Sequence, residues 1–221
     1  SVTITFDDGY ADNCQFALPL LIRHRIPTVY FVSTVHVACQ LPFGHDVAAG
    51  RPLRVNSVEQ LQAAAAGGIE VGLHTANHCN FDRVHTEEQL QEEITGAKLA
   101  LESMIDRPVR YLAVPFGMPE QMRPAVFRAA FQCGLQGVCS GFGGYNEVGQ
   151  DTFHIRRIHG DPQFIRLQNW LSYDPRKVRR TPSLTISDRI PPTLDWLNLA
   201  QRAPANSSDG HQLNESGLGL T

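Results

Sequence analysis

Two short motifs contain the side chains best suited to chemistry. Asp7 and Asp8 are adjacent carboxylates at the end of an apolar run near the start of the chain. His74 and His78 stand four residues apart in the segment His-Thr-Ala-Asn-His. Two imidazoles and one carboxylate are a sufficient ligand set for a catalytic divalent metal, and a second carboxylate beside them is a candidate general base. The pattern predicts a metal-dependent hydrolase.

The tandem aspartates need a break in the strand that carries them. Successive side chains on a strand point to opposite faces, so Asp7 and Asp8 share one site only if the strand ends there. Gly9 supplies such a break. We expect Asp8 to bind the metal and Asp7 to face the attacking water. The alternative is a simple turn whose carboxylates cap the following helix.

A third segment, Tyr111–Gly117, has the pattern of a strand that ends in a turn. The backbone N–H of Phe116, directly after a proline, is a candidate donor to an oxyanion. Three residues in or beside the motifs, Thr75, Pro115 and Tyr10, are predicted to contact the substrate. The Thr75 hydroxyl is also a candidate to orient the metal ligands.

The elements that must position these residues form an alternating pattern. Short apolar runs predict strands, and amphipathic stretches between them predict helices, which together indicate an α/β fold with parallel strands. The functional motifs follow predicted strands, where the loops of parallel sheets build active sites. The length favours a barrel of fewer than eight strands. The predicted strands are Val2–Phe6, 28–33, 69–73, 110–114, 137–140 and 153–158.

Two helix starts and one boundary are visible in the sequence. Ser57 and Gln60 have capping-box spacing, and Thr86 with Gln89 begins the longest predicted helix, which runs to about residue 105. The alternating pattern fails after residue 172. We therefore expect a catalytic domain at 1–172 and a partly disordered extension at 173–221, which is rich in Pro, Ser, Asn and Gly.

Composition narrows the class of protein. The 221 residues carry a net charge of −3, which gives no electrostatic basis for nucleic acid as the main partner. The sequence contains no run of about 20 apolar residues, so no transmembrane helix is predicted. Five cysteines without C-x-x-C spacing argue against a disulfide framework. The chain opens on a strand pattern and shows no signal peptide, so the compartment stays open between a bacterial envelope and cytoplasm.

Three segments together resemble the first three motifs of the polysaccharide deacetylase family, which has a NodB-homology domain and is also called carbohydrate esterase family 4. They are Thr5–Gly9, His74–His78 and Ala113–Gly117, in that order. The resemblance implies a distorted (β/α)7 TIM-like barrel and removal of acetyl groups from N-acetylated or O-acetylated sugars. An acetylated glycan is then the expected partner.

By the same resemblance, Asp7 is the general base, and Asp8, His74 and His78 hold the metal. That metal is usually Zn²⁺ and sometimes Co²⁺ or Ni²⁺. The amide of Phe116 joins in stabilising the oxyanion. These roles agree with those argued from the residue types alone.

The sequence departs from the family pattern at three places. Many members have an arginine where Ala113 stands, and that arginine positions the base; Arg110, Arg156 and Arg157 are open candidates to replace it. The fourth motif is not visible near 137–144. The fifth motif normally supplies a histidine acid, for which His159 is the first candidate and His154 the second.

Three rival functions stay open at this point. A glycosidase would use Asp7 with a second carboxylate, but it leaves both motif histidines unexplained. A glycan-binding domain with an impaired site would bind metal and sugar without releasing acetate. A hydrolase of another non-peptide C–N or acyl bond would use the same residues. The sequence does not distinguish among chitin oligomers, other acetylated polysaccharides and xylan, and it leaves the oligomeric state open.

Overall fold

The structure is a computed structural model that describes residues 2–84, 86–149 and 151–178. Its centre is a six-stranded sheet in which the strands follow one another in chain order, β1 to β6. Every neighbouring pair is parallel. The strands are Ile4–Phe6, Thr28–Val32, Glu70–Leu73, Tyr111–Ala113, Gly137–Cys139 and His154–Ile155. All six lie within the predicted runs, and the parallel α/β class is confirmed.

Helices lie in four of the five connections between strands, whereas the described residues between β5 and β6 form no helix. The α-helices, α1 to α9, are Leu18–Arg23, Thr34–Cys39, Gly44–Ala48, Val58–Ala66, Glu87–Leu90, Ala97–Ile105, Pro124–Gln132, Phe164–Leu171 and Pro175–Val178. Two π-helical turns, Asn13–Ala17 and Gln91–Gly96, precede α1 and α6, and a 3₁₀ turn covers Phe81–Arg83. None of the helices in the described ranges is long and apolar enough to span a membrane.

Both predicted helix starts are confirmed. The Ser57 hydroxyl accepts the N–H of Gln60 at 3.2 Å, and the Gln60 side chain accepts the N–H of Ser57 at 2.9 Å, which completes the capping box of α4. The Thr86 hydroxyl accepts the N–H of Gln89 at 3.2 Å. From there α5, a π-helical turn and α6 continue to Ile105, the predicted end of the longest helix.

The core lies around the central strands, which are buried on both faces. Tyr30, Phe31 and Val32 of β2 are fully buried, and so is Leu112 of β4. This explains why the strands are continuous apolar runs without alternation. Gly72 in β3 leaves room for the ring of Phe31, which a Cβ at that position would overlap. Because all the strands are parallel, their carboxyl ends share one edge of the sheet.

The two outer strands approach each other through side chains at that edge. Arg157 follows β6, and its guanidinium donates to Thr5 of β1 at 3.3 Å and to Asp7 directly beyond it. A sheet whose edge strands are within reach of one arginine is strongly curved, as a barrel requires. Within the described residues six strands are present. The predicted extension at 173–221 falls outside the described residues from 179 onward.

Candidate active site

The metal-ligand candidates meet at the carboxyl edge of the sheet. Asp8 follows β1, and His74 and His78 lie in the loop after β3. The Asp8 Oδ1 atom is 3.3 Å from His74 Nε2 and 3.2 Å from His78 Nε2. The ligand atoms of all three lie within 4.8 Å of one another. Tetrahedral zinc with bonds of about 2.0–2.1 Å separates its ligand atoms by about 3.3 Å, so the residues fit such an ion.

Both imidazoles are held in place by their surroundings. His74 is 2% exposed, and its Nδ1 lies 2.7 Å from the carbonyl oxygen of Ala113. A carbonyl oxygen can only accept a hydrogen bond, so Nδ1 carries a proton and Nε2 faces Asp8. The ring of His78 packs edge-on against Phe43 and Phe116, each with a centroid distance of 5.3 Å.

The backbone at these residues is strained. Four non-glycine residues at the site have positive φ: Asp8 at 74°, Thr75 at 63°, His78 at 53° and Phe116 at 63°. A non-glycine residue in the left-handed region costs about 1–3 kcal/mol and persists only when its surroundings enforce it. The other non-glycine residues with positive φ in the described ranges lie at or beside helix ends. Strain is therefore concentrated at the proposed reaction centre.

Asp7 is paired with an arginine from the far end of the domain. The Arg157 Nη1 and Nη2 atoms donate to the two carboxylate oxygens of Asp7 at 2.6 and 2.9 Å. Burial opposes ionisation of Asp7, but the nearby His74 and the Arg157 guanidinium outweigh it and hold the pKa of that carboxyl below its usual value. The same balance holds for Asp8, where hydrogen bonds from both histidines outweigh burial and lower the pKa.

Further contacts fix Arg157 and the residue before it, Arg156. The Arg157 Nε donates to the carbonyl oxygen of Ser140 at 2.9 Å, and its guanidinium lies 5.5 Å from the centre of the Phe31 ring. The Asn146 side chain donates to the carbonyl of Arg156 and accepts from its N–H, each at 2.8 Å. Arg110, another candidate, pairs instead with Glu70 at the start of β3, away from the site.

The turn after β4 presents one unpaired backbone donor. The N–H groups of Val114 and Gly117 donate to Cys139 and Pro115 at 3.1 and 2.7 Å. The N–H of Phe116 has no acceptor among the described residues. Its ring is 58% exposed and lies beside His78. The geometry leaves this N–H available to an oxyanion.

The histidine candidates for the acid occupy different places. An open cleft of about 420 Å³ is lined by Asp7, the three metal-ligand candidates, Phe116, Arg157 and His159, among others. His159 is exposed at this cleft. His154 is 1% exposed, and its Nε2 lies 2.9 Å from the Ser140 hydroxyl. Of the two, only His159 reaches the cleft.

The three residues predicted to contact substrate do not line the cleft. Thr75 is fully buried, and its hydroxyl accepts the N–H of Cys79 at 3.0 Å, so it supports the loop that carries both histidines. The Tyr10 hydroxyl donates to Asp46 at 2.8 Å. Pro115 is buried beneath the turn. Thr75 and Pro115 therefore have no accessible side chain at the cleft, whereas Tyr10 is partly exposed but is not among the residues that line it.

The sequence interpretation missed one acidic residue near the site. Glu93, in the π-helical turn before α6, is 8% exposed and accepts hydrogen bonds from the loop between His74 and His78. A signal was present, because Glu93 lies three residues after Leu90 and therefore on the apolar face of the helix. A carboxylate on a core-facing position requires hydrogen-bond partners.

Comparison with known proteins identifies relatives of this chain. The family model described as Polysaccharide deacetylase matches residues 1–138. The chain is 27% identical over 135 residues to YxkH of Bacillus subtilis (strain 168), whose name places it among polysaccharide deacetylases; the match covers 61% of this chain and 43% of YxkH. It is 28% identical over 119 residues to the chitooligosaccharide deacetylase of Bradyrhizobium sp. (strain ANU 289), and the match covers 53% of this chain and 47% of that protein. The chain thus spans less than half of either relative.

Solved structures share the fold. The Streptococcus pyogenes deacetylase PplD, in complex with acetate, gives a TM-score of 0.64 at 17% identity over 76% of this chain and 69% of that chain. IcaB from Ammonifex degensii gives 0.60 at 22% identity over 76% and 72%. These likenesses support the predicted (β/α)7 barrel class, of which six strands are described here. Since the family match covers more than half of the sequence and includes the Asp and His motifs, the chain belongs to the polysaccharide deacetylase family.

Proposed function

We propose that this protein is a metal-dependent hydrolase that removes acetyl groups from a carbohydrate polymer, with N-acetyl groups the first choice and O-acetyl groups the second. The observation that carries the proposal is that two adjacent carboxylates in one cleft have different partners. Asp8 lies against two imidazoles, whereas Asp7 is clamped by Arg157. The relative from Bradyrhizobium, named for chitooligosaccharide deacetylation, supports a glycan substrate.

Asp8, His74 and His78 would hold the divalent ion, for which zinc is the first choice and cobalt or nickel are alternatives. Their mutual distances and the fixed proton on His74 Nδ1 suit such an ion. When bound, the ion would lower the pKa of water toward about 7 and polarise the acyl carbonyl. Three protein ligands leave coordination positions open, as catalysis requires.

The remaining steps belong to the residues of the chain. Asp7 accepts the proton of the attacking water, and Arg157 keeps that carboxylate ionised and oriented. The N–H of Phe116 donates to the oxyanion that develops on the acyl oxygen. The bond between the acyl carbon and the sugar nitrogen then breaks, and His159, exposed at the cleft, donates a proton to the leaving amine. The products are acetate and a free amino sugar.

The experiment measures zinc content and acetate release on one preparation. N-acetylglucosamine oligomers and an O-acetylated sugar ester serve as substrates, with metal removal by EDTA and add-back of zinc or cobalt. We expect release that stops on stripping and returns on add-back. Asp7→Asn should lower turnover by about 10²–10⁴-fold and keep the metal, because it removes only the base. Asp8→Ala should lose the metal and the activity together.

Each failure has a distinct meaning. Stoichiometric metal without acetate release from either substrate would favour the glycan-binding alternative or another acyl bond. Cleavage of oligomers without acetate release would favour a glycosidase. Unchanged turnover in Asp7→Asn would refute the role of that carboxylate as base. Absence of metal from the wild-type protein after zinc addition would refute the site.

A further inference from the structure

We infer that Glu93 is a positioning residue for the metal site: its side chain fixes the segment between His74 and His78 and thereby sets the distance between the two imidazoles. This inference rests on the proposed function, because it assumes that the two histidines bind a metal. The segment 74–78 is called the ligand loop below. Glu93 lies outside the loop, in the π-helical turn Gln91–Gly96.

Glu93 contacts the ligand loop through both its side chain and its backbone. Its Oε2 accepts the N–H groups of Ala76 and Asn77, each at 3.0 Å. Its Oε1 accepts the side-chain amide of Asn77 at 2.8 Å. Its backbone carbonyl also accepts from the N–H of Ala76, at 3.2 Å. One residue therefore accepts a hydrogen bond from every polar nitrogen of Ala76 and Asn77, the loop residues between the strained positions.

The ligand loop needs this support because its conformation is unfavourable on its own. Thr75 and His78, the residues on either side of the bonded pair, have φ values of 63° and 53°. Such residues return to ordinary backbone conformations unless the surroundings enforce the strained one. Any such relaxation would rotate the His78 imidazole away from His74. The contacts of Glu93 act between the two strained residues, where they restrain both.

The chemical setting of Glu93 favours a specific role over general stabilisation. The side chain is 8% exposed, and its neighbour Ile94 is fully buried. Among the described residues no lysine or arginine pairs with Glu93. Burying a carboxylate is unfavourable unless its oxygens accept strong hydrogen bonds, and here all of those donors come from the ligand loop. An apolar residue would suit the core better if the loop did not require acceptors.

The π-helical turn accounts for the placement of this residue. Such turns widen a helix locally and occur frequently at functional sites. This one separates α5 from α6 and carries Glu93 at the point where the helix meets the ligand loop. The next residue in the same turn, Ile94, is buried in the core, so adjacent residues fix the helix to the core and bond to the ligand loop.

The test is zinc affinity, measured by competition with a chromophoric chelator on the full chain. Residues outside the ligand set that orient the ligands are worth about 10–100-fold in metal affinity. We expect a loss of about that size in E93A, and a loss of the same sign in E93D, whose shorter side chain withdraws the acceptors. E93Q keeps one oxygen for the two backbone N–H groups, so its affinity should stay within about threefold of wild type. The matched control is E92A, the exposed neighbour, which should be unchanged.

The outcomes separate this inference from the proposed function. Far-UV circular dichroism confirms folding at the temperature of the titration; if E93A is unfolded, E93D decides. Zinc affinity within about twofold of wild type in folded E93A, or in E93D when E93A is unfolded, would overturn the positioning role while leaving the metal site intact. Equal losses in E92A and E93A would also overturn it, because the effect would then be a general one of the helix. A wild-type protein that binds no zinc would overturn both proposals together.

Discussion

At the scale of single residues, the two adjacent aspartates differ mainly in their partners. Asp8 has positive φ and directs its carboxylate toward two imidazoles. Asp7 directs its carboxylate toward a guanidinium that binds it through two hydrogen bonds. Both carboxyl groups have pKa values below their usual range, so both are ionised at neutral pH. Their surroundings therefore suit one for coordination and the other for proton transfer.

Arg157→Gln tests the support of the base. We expect turnover to fall by about 10²-fold while zinc binding is retained, because the ligand set is intact and only the orientation and charge of Asp7 change. Arg157 lowers the pKa of Asp7, so its removal raises that pKa. The base is then deprotonated only at higher pH, and the acid limb of the pH–rate profile should move upward. Steady-state kinetics between about pH 5 and 9 measure both effects.

Arg110→Gln is the matched control for that variant. It removes the same charge from a residue that pairs with Glu70 and makes no contact with Asp7. The control should keep the wild-type profile. A normal rate and an unshifted acid limb in Arg157→Gln would show that the observed ion pair has no part in the reaction.

The residues of the site were predictable to different degrees. Asp7, Asp8, His74 and His78 could be identified because each pair lies within one short segment of sequence. The partner of Asp7 could not, since it lies 150 residues away and three arginines were equivalent in sequence. Thr75 and Tyr10 were predicted to contact substrate because they lie in or beside the motifs. Thr75 is buried and the Tyr10 hydroxyl is bonded to Asp46, and neither residue lines the cleft, an outcome that depends on tertiary packing.

At the scale of elements, the turns after β4 and β5 contact each other through their backbones. The N–H of Gly141 donates to the carbonyl of Gly117 at 2.8 Å. A Cβ on Gly141 would come within 2.6 Å of the carbonyl oxygen of Phe116. The absence of a side chain at this position therefore allows the second turn to hold the first, including the N–H proposed to stabilise the oxyanion.

Gly141→Ala should displace the turn that carries Phe116. We expect the catalytic constant to fall by about 10–100-fold through loss of the oxyanion donor, with zinc affinity unchanged because no metal ligand lies in that turn. Parallel measurements of the catalytic constant and of zinc affinity check this. Gly44→Ala, at a position where a Cβ has open space, is the control and should keep both values. Equal losses of zinc and activity in Gly141→Ala would point to general misfolding.

Among the elements, those that depend on neighbouring residues in the sequence were predicted correctly. The strands and both helix starts follow from apolar runs and capping residues, which act over a few positions. The π-helical turn was not foreseen, because the sequence 87–105 has a continuous helical pattern. The extra residue in that turn is stabilised by the ligand loop and the core around Ile94, which are distant in sequence.

At the scale of the whole molecule, His154 should make folding stability sensitive to acid. Burial, assisted by the charge of Arg156, lowers the pKa of His154 from 6.5 to about 4. Between about pH 6.5 and 4, His154 is protonated in the unfolded chain but neutral in the folded one, so the free energy of unfolding falls as the pH drops. The loss from this group is about 2 kcal/mol at about pH 5. Above pH 6.5 it contributes nothing.

His154→Gln removes this titration and can keep the hydrogen bond to Ser140. Denaturant unfolding of the metal-free protein at about pH 7 and pH 5 should show a smaller acid-induced loss in the variant than in wild type. His24→Gln, a change at an exposed position, should retain the wild-type difference. If His154→Gln loses as much stability as wild type on acidification, the buried imidazole is not responsible.

The separation of Asp7 and Arg157 along the chain determines when their ion pair can form during synthesis. The two residues are 150 positions apart, so the pair closes one of the longest loops in the domain. A growing chain contains Asp8, His74 and His78 long before Arg157 is synthesised, but a domain generally folds as a unit. Asp7 therefore gains its guanidinium partner only after residue 157 has been made. A nascent chain that stops at residue 138, where the family match ends, would have a complete ligand set and an unsupported carboxylate.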